Sequence, residues 1–167
     1  SGAAVGCYHL LLPGGYGDFS SAQAAASQYA SGFPAWVDGS YQVRVGAYLD
    51  SSSAQAAQYS LGLTGAQIVG TSSSGVSVVE TGTSRILFQF DSTGGLFLGV
   101  KPGLDEFTKT ETIFRNKRYY GAFEYRRSGG NLTVVNVIPM EDYVQGVVPS
   151  EMVATWPVEA LKAQAVC

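Results

Sequence analysis

Tyr41-Gln-Val-Arg-Val-Gly-Ala-Tyr48 runs, after a short polar gap, into Ser53-Ala-Gln-Ala-Ala57, and the pair has an earlier copy in the chain. Tyr8-His-Leu-Leu-Leu12 is followed by Ser21-Ala-Gln-Ala-Ala25 at nearly the same offset, so one unit occurs twice. In the second copy Val43, Val45 and Ala47 alternate with Gln42, Arg44 and Gly46, the period of a half-buried strand. The Ala/Gln-rich segments are good helix formers. Ser20 or Ser21, and the serines at 51–53, are placed to cap their first turns. Gly32 and Gly62 mark the helix ends, and 34–37 and 66–70 supply a closing strand for each copy. The reading is β-α-β written twice over residues 8–70, a sheet covered by helices.

Thr71-Ser-Ser-Ser-Gly75 reads as a linker, after which the period changes. Short apolar and aromatic runs at 76–80, 85–90, 96–100, 108–114, 118–127 and 132–138 are separated by turn residues. Asp91-Ser-Thr-Gly-Gly95 and Ser128-Gly-Gly-Asn131 tolerate positive φ, and Arg115-Asn-Lys117 sits between aromatic runs. This predicts an antiparallel meander. Two short helices then follow. Met140, Tyr143, Val144 and Val147 share a helical face behind Pro139, and Pro157 opens a second helix over 158–166. The expected fold class is α+β, with one domain over 1–71 and a second over 76–167.

The second copy of the repeat, Tyr41-Gln-Val-Arg-Val-Gly-Ala-Tyr48 with Ser53-Ala-Gln-Ala-Ala57 and Leu61, resembles a sporulation-related repeat (SPOR) domain. That resemblance implies a βαββαβ fold that binds peptidoglycan glycan strands stripped of stem peptides. Leu11-Leu12-Pro13-Gly14-Gly15 departs from the family pattern. A longer resemblance lies near the C-terminus. Asn136-Val-Ile-Pro-Met-Glu-Asp-Tyr143, Gly146-Val-Val-Pro-Ser-Glu-Met152 and Trp156-Pro-Val-Glu-Ala-Leu-Lys-Ala-Gln-Ala-Val166 are similar to the signature of the SpoIID family. Characterised members include lytic transglycosylases and LytB-type enhancers of a cell-wall amidase. In the transglycosylases the glutamate of the Glu-Met pair is acid and base, which implies Glu151 as the catalytic residue here. Val153 stands where the family has proline, and the family pattern runs on past Cys167, so the segment is expected to be the beginning of a longer domain.

One carboxylate suffices for such chemistry. A general acid must protonate the departing glycosidic oxygen, and a carboxyl sheltered among Val147, Val148, Met152 and Trp156 would keep its proton near neutral pH. The sugar's own 6-hydroxyl then serves as nucleophile, so the second carboxylate of an ordinary hydrolase is dispensable. The neighbouring acids have plainer roles. Glu141 and Asp142 fall in a first helical turn, where they complement the helix dipole. Glu159 and Lys162 are i, i+3 partners. Lys162 and Gln164 remain candidate substrate-binding residues.

Composition narrows the remaining classes. The chain has 167 residues, 46% hydrophobic and 14% charged, with net charge −3, enough apolar content for a real core. Basic residues gather late: Arg115, Lys117, Arg118, Arg126 and Arg127 face one acid, Glu124. They form either a solvated hairpin face or a patch for a polyanion. No basic helix or aromatic-basic interleaving marks a nucleic-acid module. No run is long enough to span a bilayer, and Ser1-Gly2-Ala3-Ala4 lacks the pattern of a signal peptide. His9, Cys7 and Cys167 have no metal-ligand spacing, so each cysteine is expected to be a buried thiol. No cofactor is implied. The expected protein is extracytoplasmic, at the cell wall or surface of a bacterium. Its expected partner is peptidoglycan, with an amidase or other division or sporulation proteins as further candidates.

Overall fold

The computed structural model describes residues 4–70, 72–103, 111–128, 130–152 and 155–166, and shows a mixed α+β protein. The first elements are β1 (Tyr8–Leu11), α1 (Phe19–Ala26), β2 (Gly32–Val37), β3 (Ser40–Tyr48), α2 (Ser51–Ser60) and β4 (Gln67–Val69). Strand and helix order is thus the same in the two copies of the repeat. Their strands lie in the order β4-β1-β3-β2, all neighbours antiparallel, the split β-α-β arrangement. Leu10, Leu12, Val43 and Val45 on one sheet face meet Ala22 and Ala26 of α1 and Ala54 of α2. Alanine lets each helix lie close to the sheet.

Both helices are capped alike, but not by the serines expected. Asp18 accepts the Ser21 amide at 2.8 Å and Asp50 accepts the Ser53 amide at 2.7 Å. The serine hydroxyls of Ser21 and Ser52 in turn donate to those carboxylates. A carboxylate is at least as good an N-cap acceptor as a hydroxyl and also meets the positive end of the helix dipole. The amide bonds from Ser21 and Ser53 hold both carboxyls below the ordinary carboxylate range.

The sheet continues beyond 71–75. β5 (Val76–Val79) and β6 (Ile86–Asp91) form an antiparallel hairpin, and β6 pairs in parallel with β2, completing the order β4-β1-β3-β2-β6-β5. Register places Trp36 beside Phe90, and the two rings stack with centroids 5.0 Å apart. Phe19 at the start of α1 touches Tyr41 and Phe88 edge-on, extending this aromatic row on the helix side.

The opposite side of the sheet holds a polar chain that the sequence did not suggest. Arg44 Nη1 donates to Gln89 Oε1 at 2.6 Å, and Gln89 Nε2 lies 3.2 Å from His9 Nε2. His9 Nδ1 lies 2.7 Å from the Gly46 carbonyl. A guanidinium can only donate and a carbonyl only accept, so the direction of every bond is fixed. His9 is neutral, with its proton on Nδ1 and a lone pair on Nε2 for Gln89. A bulge makes this possible. Gly46 and Ala47 of β3 stand opposite the single residue His9, and Gly46 has φ +76°, a conformation glycine adopts freely.

His9 and Arg44 are buried, with 1% and 8% of their surface exposed. Burial chiefly, together with the nearby Arg44 charge, lowers the His9 pKa from its ordinary 6.5, against the opposing pull of the Gly46 carbonyl. Because the folded value is the lower one, this contribution to stability is complete above the unfolded value. It is lost as pH falls through 6.5 toward the folded value. Urea midpoints should therefore drop between about pH 7.5 and pH 5, and a His9→Gln variant should lack that component of the slope. An unchanged slope in the variant would exclude His9 as its source.

The later strands are β7 (Leu98–Val100), β8 (Glu111–Phe114), β9 (Lys117–Tyr120), β10 (Ala122–Ser128) and β11 (Asn131–Val137). β8 and β9 make a hairpin, and the other three form a sheet in the order β11-β10-β7. Arg115 and Asn116 have φ of 49° and 62°, the two positive values of a tight I′-type turn. The run at 118–127, expected as one strand, breaks at Gly121, which has φ +84°. A side chain there would collide with the Val137 carbonyl. Asn136 Nδ2 secures the break by donating to the carbonyls of Tyr120 and Ala122 at 2.9 and 3.1 Å. Of the expected run at 108–114, residues 108–110 lie outside the described residues.

Two units result, one of 1–98 with 125–133 and one of 99–124 with 134–167. In the second, Phe123 is buried and contacts Phe114 and Tyr119. Its helices are α3 (Met140–Glu151) and α4 (Val158–Val166). Among the described residues no helix is long and apolar enough to cross a membrane.

Candidate functional site

The segment that carries the candidate chemistry begins where Pro139 leaves β11. Its carbonyl accepts the Tyr143 amide at 3.0 Å, and Glu141 and Asp142 occupy the first turn of α3, as the dipole argument expects. The helix runs on to Glu151. Pro149 lies within it and has no amide hydrogen to offer the carbonyl one turn back. Met152 still donates to the Val148 carbonyl at 3.0 Å, yet its own φ of −134° and ψ of 141° are extended. Glu151 is therefore the last helical residue, directly before the backbone turns away. Ser150 Oγ donates to the Val147 carbonyl at 2.8 Å and closes the same turn.

Glu151 is exposed. The expected shelter is absent among the described residues: Val147, Val148 and Met152 are half-buried, and Trp156 is 50% exposed. Neither α3 nor α4 has a buried residue among those described, so the pair of helices has no apolar layer deep enough to enclose a carboxyl. Val153, where the family pattern has proline, lies outside the described residues.

Lys162 and Glu159 pair as expected, Nζ donating to Oε1 at 2.9 Å across one turn of α4. Both are well exposed, so the pair contributes little to stability. Gln164 is half-buried on the same helix. The structure brings α3 and α4 into contact, but no hydrogen bond or ion pair joins Glu151 to Lys162 or Gln164 among the described residues.

The basic residues do not form one hairpin patch. Arg115, Lys117 and Arg118 belong to the β8–β9 hairpin, where Arg118 pairs with Glu111 at 3.0 Å and Arg115 lies over Phe114. Arg126 and Arg127 come after the Gly121 break and belong to the other unit. There Arg126 stacks 4.2 Å above the Phe97 ring, and Arg127 Nη1 donates to the carbonyls of Ser72 and Gly75. Cys7, expected as a buried thiol, is exposed ahead of β1, and Cys167 lies outside the described residues. Among the described residues no group of three or more His, Cys, Asp or Glu side chains comes together as a metal site.

Comparison with known proteins bears on the C-terminal part. Residues 128–167 match the family SpoIID, Stage II sporulation protein. Over 48 residues the chain is 52% identical to an uncharacterized protein of Brachyspira hyodysenteriae, a stretch that covers 29% of this chain and 13% of that relative. No solved structure matches. The stretch that is similar to the SpoIID family thus takes in α3, with Glu151 at its exit, and α4.

Proposed function

We propose that this chain is part of an extracytoplasmic peptidoglycan-remodelling protein, with a SPOR-like glycan-binding portion ahead of a SpoIID-type lytic transglycosylase segment. The carrying observation is the SpoIID match at 128–167, which contains the Glu-Met pair at 151 and 152. The β-α-β repeat, with its strand order β4-β1-β3-β2, is the support for the first portion. In the proposed reaction Glu151 gives its proton to the glycosidic oxygen as the bond from the muramic C1 breaks. The 6-hydroxyl of the same sugar closes on C1 and returns its proton to Glu151. A 1,6-anhydro end and a free hydroxyl result, and no water is consumed.

A second reading has its own support. Glu151 is exposed, with no enclosing wall among the described residues, which suits a wall-binding protein that stimulates an amidase without cleaving glycan itself. Peptidoglycan stripped of its stem peptides separates the two. Anhydro ends detected by mass spectrometry after incubation with the intact protein support cleavage. Their absence, together with faster release of peptides by an added amidase, supports the enhancer. The chain itself should sediment with stripped peptidoglycan, and less so as salt screens its exposed arginines. Failure to sediment at low salt would remove glycan binding altogether.

A further inference from the structure

Within the first unit, the loop at 72–76, the end of β6 with the turn after it, and the end of β10 enclose a cleft of about 270 Å³. That lies just below the size of about 300 Å³ at which small-molecule sites begin, so an occupant would be no larger than a single sugar. Its walls are of two kinds. Phe90, Leu96 and Phe97 present apolar surface, while Ser73, Tyr125 and Arg127 present polar groups. Leu96 and Phe97 are 60% and 43% exposed, apolar area left at the edge of a concave, hydroxyl-bearing site.

Arg127 is held in place. Its Nη1 donates to Ser72 O at 2.7 Å and to Gly75 O at 3.3 Å, and all its hydrogen bonds to described residues leave from that one nitrogen. The loop is fixed as well, because Ser74 Oγ donates to Asp91 Oδ1 at 2.6 Å and the Ser74 and Gly75 amides bond to Ser72 Oγ. An arginine immobilised at one nitrogen keeps the rest of its planar fork for a carboxylate. Arg126 beside it adds a second positive charge over Phe97. The acid at this end of β6, Asp91, is engaged by Ser74 and by the field of Arg44.

We infer that this cleft is a subsite for one carboxylate-bearing amino sugar, with Arg127 meeting the carboxylate and the phenyl wall meeting the apolar face of the ring. Under the peptidoglycan reading on which this rests, that sugar is a muramic residue whose lactyl carboxylate is free. A stem peptide would convert that carboxylate to an amide and remove its charge, so the same arginine would favour stripped strands over peptide-bearing ones.

The test is a titration of the chain with N-acetylmuramic acid and, separately, N-acetylglucosamine, followed by amide chemical shifts in two-dimensional NMR. The first sugar should shift signals at 72–76 and 92–97 and bind at least about tenfold more tightly than the second, which lacks the lactyl group. Arg127→Lys keeps a donor for the loop carbonyls but loses the fork, and should weaken binding by about tenfold. Tyr125→Phe leaves the loop bonds untouched and should weaken it by a few fold. Arg118→Met removes one charge from the β8–β9 hairpin and should change nothing. Equal affinity of wild type and Arg127→Lys, or equal loss in Arg118→Met, overturns the subsite. If the chain ignores N-acetylmuramic acid yet sediments with stripped peptidoglycan, the subsite fails and the functional reading stands. If it binds the sugar and does not sediment, the subsite stands and the polymer reading falls; if it does neither, both fail.

Discussion

Glu151→Gln in the intact protein should lower the release of anhydro sugar ends by roughly a hundredfold to ten-thousandfold, the usual loss on removing a general acid. Fold and wall binding should survive. The residue is exposed and ends α3 without a side-chain bond to any described residue, and an exposed substitution of this kind typically changes stability by less than about 0.5 kcal/mol. Glutamine keeps the shape and the polarity and loses only the transferable proton. Glu141→Gln is the matching control. It sits in the first turn of α3, where loss of a charge weakens the dipole interaction by about 0.3–1 kcal/mol and leaves turnover alone. Mass spectrometry of the digests gives turnover, and circular dichroism shows that each variant is folded. Wild-type turnover from the Glu151 variant would take the acid role away from this residue.

The repeat was legible because a strand period and an Ala/Gln helix period each appear twice, and local pattern suffices to locate such elements. The caps were misassigned for a related reason. Serine and aspartate both cap well, and Asp18 and Asp50 stand three residues before Ser21 and Ser53, so only geometry shows which side chain reaches which amide. The parallel pairing of β6 with β2 left no local trace. Nothing in Arg85-Ile-Leu-Phe-Gln-Phe90 says which strand it joins, since pairing between distant segments depends on the whole sheet. The break at Gly121 follows from the Val137 carbonyl, again a contact across the chain. At the candidate site the sequence anticipated the Glu159–Lys162 pair but not the exposure of Glu151, because an amphipathic period says which face is apolar and not whether anything covers it. Arg127 was read only as one of a basic cluster and Tyr125 was not singled out, because the cleft they line is assembled from three separated segments.

Gln89→Leu should destabilise the first unit by about 3–5 kcal/mol, a large part of the roughly 5–15 kcal/mol that holds a domain together. Gln89 is the only side chain that accepts from Arg44 Nη1 among the described residues, and it also donates to His9 and to Ser77 Oγ. Arg44 Nε already lacks a partner, and the Nη2 bond to Gln42 is long at 3.3 Å. Leucine would leave a buried guanidinium with that one weak bond and His9 Nε2 with none, and stranded buried donors and acceptors each cost about 1–3 kcal/mol. The double variant Arg44→Leu with Gln89→Leu should recover much of the loss, because replacing both partners of a buried polar pair with apolar groups is often close to neutral. Urea unfolding measures both. The local consequence is sharper still. Gln89 stands beside Ala35 in the parallel β2–β6 pair, so the network fastens the β5–β6 hairpin to the repeated β-α-β units. Amide exchange in the single variant should accelerate first along 76–91, ahead of β1 and β3. Exchange that rises uniformly across the unit, or a double variant weaker than the sum of the singles, would show that the hairpin is held by the Trp36–Phe90 stack and its ladder rather than by this chain of polar side chains.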